Sequence, residues 1–371
     1  MAHLLNLPQD RVLWGEAMLA EALPHLPEIG IAQPIIFSVR SLDAMRREHI
    51  EPHLRDAAGI FTDLPAHAPD TAIRAGLDAV LACGAGSILA HGGGSVLDAA
   101  KAVSHLHYQR AGSHLPIAAL PTTLSGSEYS HYFGITETDG AQRFKRSYAV
   151  RETVPKLVIL DPVLLRDTPR ELLLSSAIKG IDHAVEGMRM VSIEHPHAIM
   201  ASSGVRRFLA ILPRWPADIE VKDALHRGLV TPADLLELQL AAWHCYFTPA
   251  SVIYGLSHRI GHILGGTFGL PHSITSCISL APVIRACSAF YGAKLTVYFG
   301  DSADDAAPRL ARSIEDTVIA LGLPRRIGDF GLAPNSIAEI AALLKSAYPT
   351  EVADLGIDAD HKLDRLLESI W

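Results

Sequence analysis

Lys179 and His183 stand four residues apart in AIKGIDHAVEG, so a helix would stack them on one face. His258 and His262 repeat that spacing in LSHRIGHILGG. His272 follows in FGLPHS, where Pro271 could turn the chain and aim the imidazole back towards His258. Three imidazoles converging on one place could hold a divalent metal, or supply a general acid. The plainer alternative stays open: the chain has 19 histidines, and the apolar residues between His258 and His262 also suit an ordinary core helix.

A second chemical feature is glycine-rich. In SILAHGGGSVLDAAK an apolar strand runs into Gly92, Gly93 and Gly94, and Ser95 begins a helix. Glycines let a backbone approach an anion closely, and a helix N-terminus offers N–H groups and a positive dipole end. That combination is a diphosphate cradle, although a tight strand-to-helix turn without ligand has the same look. In LPTTLSGSE, Thr122, Thr123, Ser125 and Ser127 could hydrogen-bond a ribose or phosphate, or form a polar turn that caps the next helix. Both segments follow strands, where ligands of open parallel sheets bind.

The surrounding pattern supplies elements to position these groups. QPIIFSV, GIFTD, SILA and PIAAL read as strands, separated by helices over 42–53, 71–83 and 95–107. This alternation predicts a mostly parallel sheet covered on both faces. Residues 141–159 look like a hairpin of RSYAV and PKLVIL. From about Arg166 the chain turns to long apolar-periodic segments (171–191, 198–212, 233–247 and 258–267), which predict an all-helical second half. We therefore expect an α/β domain over 1–165, a helical domain over 166–371, and the active site in the cleft between them.

Composition narrows the function classes. Lys and Arg total 32 against 40 Asp and Glu, a formal charge of −8, which disfavours a nucleic-acid partner. Four cysteines without a CxxC pair read as reduced thiols. Neither a signal peptide nor an apolar run of membrane length is evident, so a cytoplasmic location is expected.

Taken in order, HGGGSVLDAAK, PTTLSGSE, HAVEG and HRIGHILGGTFGLPH resemble the iron-containing alcohol dehydrogenase superfamily, which includes dehydroquinate synthase relatives. The resemblance implies a Rossmann-like α/β domain followed by an all-α domain, a homodimer, and an NAD(P)H-dependent oxidoreductase acting on a small molecule. It implies that Gly92, Gly93, Gly94, Ser95 and Asp98 bind NAD(P), with Thr122, Thr123 and Ser127 nearby. It places His183, His258 and His272 at the positions of metal-binding histidines, and His262 at a histidine of substrate or proton transfer.

One departure is chemical. The family's metal-binding Asp, four residues before His183, is Lys179 here. A cationic side chain repels a dication instead of ligating it. Asp182 lies about 100° around the helix from His183 and is a poor substitute. No tightly bound metal is expected, a pattern that resembles the maleylacetate reductase subgroup. The expected catalytic groups are Lys179, His183, His258, His262 and His272, with Lys179 and protonated histidines stabilising an alkoxide and His262 or His258 donating the proton. Lys179, Arg189, Arg259 and Lys145 are candidate anchors for a carboxylate substrate. Arg40 directly after QPIIFSV, where no acidic residue stands, permits NADPH. A metal-dependent alcohol dehydrogenase, a non-redox dehydroquinate synthase-type lyase and an inactive nucleotide-binding module are the alternatives.

Overall fold

In a computed structural model, which describes residues 4–65, 68–139, 142–300 and 302–371, the short apolar runs become strands. They are β1 (Arg11–Trp14), β2 (Pro34–Phe37), β3 (Gly59–Phe61), β4 (Ser87–Gly92), β5 (Ile117–Pro121), β6 (Tyr132–Asp139), β7 (Gln142–Ala149) and β8 (Leu157–Leu160). Six of them form one sheet in the order β1-β8-β5-β4-β2-β3, with every neighbouring pair parallel. In β2, β4, β5 and β8 every residue is buried. Continuous apolar runs of this kind belong to parallel strands with both faces covered.

The hairpin differs from expectation. β6 pairs antiparallel with β7, Tyr132 opposite Ala149 through Asp139 opposite Gln142. LVIL instead enters the parallel sheet between β5 and β1. Four consecutive apolar residues need cover on both faces, which a surface hairpin does not provide. β1 was not anticipated: it is a four-residue edge strand whose end residues Arg11 and Trp14 are exposed, so it carries little apolar signal.

The chain groups into two units. The first holds the sheet and comprises residues 6–169 and 220–239. Its core joins Leu23, Leu26, Ile36, Met45, Leu89, Leu120 and Ile159. Residues 220–239 lie inside the range read as helical domain but group with the sheet; there the Gln239 amide donates to the Asp161 carbonyl at 3.1 Å.

The second unit comprises residues 4–5, 170–219 and 240–371. Its described residues form no strand. At its centre runs the helix Arg170–Glu186, in which every residue from Leu173 to Glu186 is buried. A helix buried all round is a core helix, yet this one carries Lys179, Asp182, His183 and Glu186 inside. Buried polar groups persist only when paired, and the helices Pro196–Ile211, Leu256–Gly266 and His272–Ala286 pack beside it. The last two approach closely because residue 261 is glycine; a Cβ there would sit 2.7 Å from Thr275 Oγ1. Among the described residues no single helix is long and apolar enough to cross a membrane.

Candidate active site

In the sheet-bearing unit, β4 ends at Gly92 and the helix Gly94–Ala111 begins at once, with Gly93 as its N-cap and no side-chain cap. The loop has no room for larger residues. A Cβ on Gly92 would lie 2.6 Å from Val96 Cγ2, and one on Gly93 2.9 Å from Thr123 Cγ2. Thr122 N donates to the Gly92 carbonyl at 3.1 Å, which fixes the second polar segment beside the first. A side-chain-free backbone, an uncapped helix N-terminus and the hydroxyls of Thr123 and Ser125 fit a nucleotide diphosphate.

Asp98 and Ser127 sit near this loop but work within the protein. Asp98 accepts from Ser127 Oγ at 2.8 Å and from Gly134 N at 3.1 Å. Lys101, fully buried, donates to the carbonyls of Ser127 and Tyr132 at 2.5 and 3.0 Å and to Ser127 Oγ at 3.0 Å. Burial lowers this ammonium to about 8. These bonds fasten β6 to the helix that starts at the glycine loop.

In the helical unit the expected histidines form a file. Ring centroids of His183 and His258 are 4.8 Å apart, those of His258 and His262 6.2 Å, and those of His262 and His272 5.9 Å. Tyr254 stacks on His258 at 4.4 Å, and Tyr246 lies 4.0 Å from His183. His183 and His258 are buried, whereas His262 and His272 are partly exposed. The Tyr348 hydroxyl lies 3.4 Å from His262 Nδ1.

The expected Lys179 and His258 join Asp182 in a polar cluster whose other members, Glu186, Ser276 and Tyr291, sequence reasoning missed. Lys179 Nζ donates to Asp182 Oδ2 at 3.0 Å, Ser276 Oγ donates to the same oxygen at 2.6 Å, and His258 Nδ1 stands 3.3 Å from it. Glu186 accepts from Tyr291 at 2.9 Å and from the backbone N–H of His258 at 3.3 Å. It thereby caps the histidine helix from outside, because the N-cap Gly255 has no side chain to do so. A Cβ at Gly255 would come within 2.9 Å of the Glu186 carboxylate. Residues 179, 182 and 186 follow helical spacing and were legible as one face. Ser276, Tyr291 and Tyr348 carry no local signal.

Burial governs the charges. It holds His183 well below the usual imidazole range, aided by His258 and Lys179, and lowers His258 to about 4. Both rings are therefore neutral near pH 7, which corrects the expectation of protonated histidines at these two positions. Burial alone would raise the Asp182 carboxyl, but Lys179, His258 and Ser276 outweigh it and hold Asp182 well below the carboxylate range. Burial and the nearby Asp182 charge push Glu186 up to about 8.

A pH dependence of stability follows. His91 at about 3, His197 at about 4 and His258 at about 4 bind fewer protons folded than unfolded between those values and 6.5. Glu128 at about 7 and Glu186 at about 8 bind more protons folded than unfolded above 4.5. The histidine contribution is complete above pH 6.5 and lost on acidification; the carboxyl contribution is complete below 4.5 and lost as pH rises through 7 to 8. Each unmatched proton is worth about 1.4 kcal/mol per pH unit. Urea denaturation between pH 4 and 8 should therefore show a midpoint that peaks near 6.5. A midpoint flat from 4.5 to 6.5 would contradict the neutral buried imidazoles.

Comparison with known proteins identifies the family. A model of the iron-containing alcohol dehydrogenase family matches residues 8–162. Maleylacetate reductase 1 of Cupriavidus pinatubonensis is 30% identical over 354 residues, covering 93% of this chain and 91% of that one. The chain belongs to the iron-containing alcohol dehydrogenase family. It is an NAD(P)-dependent oxidoreductase and is similar to the maleylacetate reductases. The fold is shared with the crystal structure of maleylacetate reductase from Agrobacterium tumefaciens, with a TM-score of 0.81 and 22% identity over 100% of this chain and 98% of that one. Sulfoacetaldehyde reductase from Bifidobacterium kashiwanohense, solved in complex with NAD+, gives 0.79 at 20% identity, again over 100% and 98%.

The family's iron raises the question of whether this member's residues fit a metal. Among the described residues, the group of metal-ligating types whose donor atoms lie within 4.8 Å of one another is Asp182, Glu186 and His258, not the three histidines. In this set Asp182 Oδ1 and His258 Nδ1 make no hydrogen bond among the described residues, but the other carboxylate oxygens are engaged. Asp182 Oδ2 already carries the Lys179 ammonium and the Ser276 hydroxyl, and both Glu186 oxygens accept hydrogen bonds. A metal ion here would have to displace a cation.

The candidate anchors are also engaged. Arg189 forms a two-pronged pair with Asp354 at 2.5 and 3.0 Å. Arg259 donates to Glu351 at 2.8 Å and lies 5.0 Å above the Tyr348 ring. The Lys145 side chain lies outside the described residues.

Proposed function

We propose that this enzyme reduces a ketone or aldehyde carbon of a small substrate resembling maleylacetate, without a tightly bound metal. The observation that carries the reading is the state of Lys179. Its side chain is 2% exposed, and among the described residues it makes one hydrogen bond, to Asp182. An ammonium has three donors. With one N–H given to Asp182, the ammonium keeps donors for a carbonyl oxygen gaining negative charge, the acceptor that reduction supplies.

NAD(P)H, held by Gly92, Gly93, Gly94 and Ser95 with Thr122 and Thr123, supplies the hydride when bound. Lys179 stabilises the alkoxide in the place of a Lewis acid. His262 delivers the proton: it is partly exposed, and the Tyr348 hydroxyl beside Nδ1 orients its ring. Neutral His183 and His258 line the site and add no charge.

Either nucleotide is accommodated. Arg40 pairs with Asp63 at 2.5 Å, but both are exposed, and such surface pairs are worth about 0–1 kcal/mol. Arg40 is therefore able to turn to a 2′-phosphate.

The test follows NADH and NADPH oxidation with maleylacetate, using protein stripped by a strong chelator. Turnover is expected without added metal. Activity that returns only with zinc or iron would favour the second reading, a metal-dependent alcohol dehydrogenase that recruits Asp182, Glu186 and His258. No turnover of maleylacetate under either condition, with turnover of another carbonyl compound, would discard this substrate and keep the reaction class.

A further inference from the structure

We infer that Asp182 is a positioning residue for the reduction and acts through Lys179. The inference rests on the reductase reading above and deepens it. Lysine has a long flexible stem, and its ammonium is a point charge without the fixed fork of arginine. To serve at a reacting oxygen it must be held. Asp182 does this with a single oxygen. Oδ2 receives Lys179 Nζ at 3.0 Å and Ser276 Oγ at 2.6 Å, and His258 Nδ1 lies 3.3 Å away.

Three elements meet at that atom: the central helix through Lys179 and Asp182, the histidine helix through His258, and the helix His272–Ala286 through Ser276. Asp182 is completely buried, and its other oxygen, Oδ1, makes no hydrogen bond among the described residues. The arrangement holds the cation. It fixes the lysine from one side and leaves donors for the substrate oxygen.

A double-substitution cycle on kcat tests this, using Asp182→Asn, Lys179→Met and the two combined, with NADH affinity by fluorescence titration as the control for folding. Asp182→Asn is expected to lower kcat on the order of 100-fold, the scale of a reacting group misplaced by about 1 Å, with nucleotide affinity unchanged. In the Lys179→Met background the same change should cost less than about threefold, because there is no ammonium left to place. A structural role alone predicts losses that multiply.

Multiplying losses overturn the inference, as does an Asp182→Asn enzyme with wild-type kcat. The second criterion decides by itself if Lys179→Met does not fold. A wild-type enzyme inert towards every carbonyl substrate overturns the reductase reading together with the inference. An active wild type with multiplying losses overturns the inference alone.

Discussion

Lys179→Met should lower kcat for carbonyl reduction by about 100- to 1,000-fold, the loss seen when one preorganised donor to a developing oxyanion is removed. Methionine keeps the length and most of the volume of the lysine stem and deletes only the charge. The expectation follows from where the charge sits. In water an ammonium is screened; at 2% exposure, beside neutral His183 and His258, it acts through a medium of low effective dielectric.

The substitution also leaves Asp182 without its ion-pair partner. Breaking a buried pair from one side costs about 3–5 kcal/mol of stability. A lower melting temperature should therefore accompany the lost turnover, and the kinetics belong at a temperature where circular dichroism reports folded protein. A kcat within threefold of wild type would remove Lys179 from the mechanism. A loss confined to KM would make it a binding group for the ground state.

The second large effect is expected at the glycine loop. Gly93→Ala places a methyl group 2.9 Å from Thr123 Cγ2, closer than real Cβ atoms come. Either Thr123 shifts or the loop backs away, and both spoil the approach of backbone N–H groups to an anion. The Kd for NADH should rise at least about tenfold, roughly 1.4 kcal/mol, by fluorescence or calorimetric titration. Gly84→Ala is the contrasting control. It caps the helix Asp70–Cys83 with φ +65° and no neighbour within 4 Å of a Cβ, so it should cost stability and leave nucleotide affinity alone. Unchanged affinity in Gly93→Ala would mean that the nucleotide binds elsewhere.

The amino-acid sequence determined the elements whose signal is local. Apolar runs of four to six residues ending in glycine or proline made the strands around the glycine loop visible, and 3.6-residue periodicity did the same for the helices of the second half. The glycine loop was legible because its reason is local: a Cβ at Gly92 would meet Val96 only four residues on. The histidine positions were legible from spacing and from resemblance to the family.

Tertiary structure decided the rest, because partners far apart in sequence leave no periodic trace. LVIL joined the parallel sheet instead of pairing with RSYAV, since it needed cover on two faces. Asp182 was set aside as a metal ligand because it points away from His183, yet that direction is what brings it to Lys179 on its own helix and to Ser276, 94 residues away. Charge state, too, was settled by depth. Nothing in HRIGHILGG distinguishes one imidazole from the other, but burial beside a cation keeps His258 neutral, while His262, one turn on, is left partly exposed near the Tyr348 hydroxyl. Residue types set which chemistry was available; packing assigned each group its charge and its neighbour, because desolvation and hydrogen bonding depend on what surrounds an atom in space.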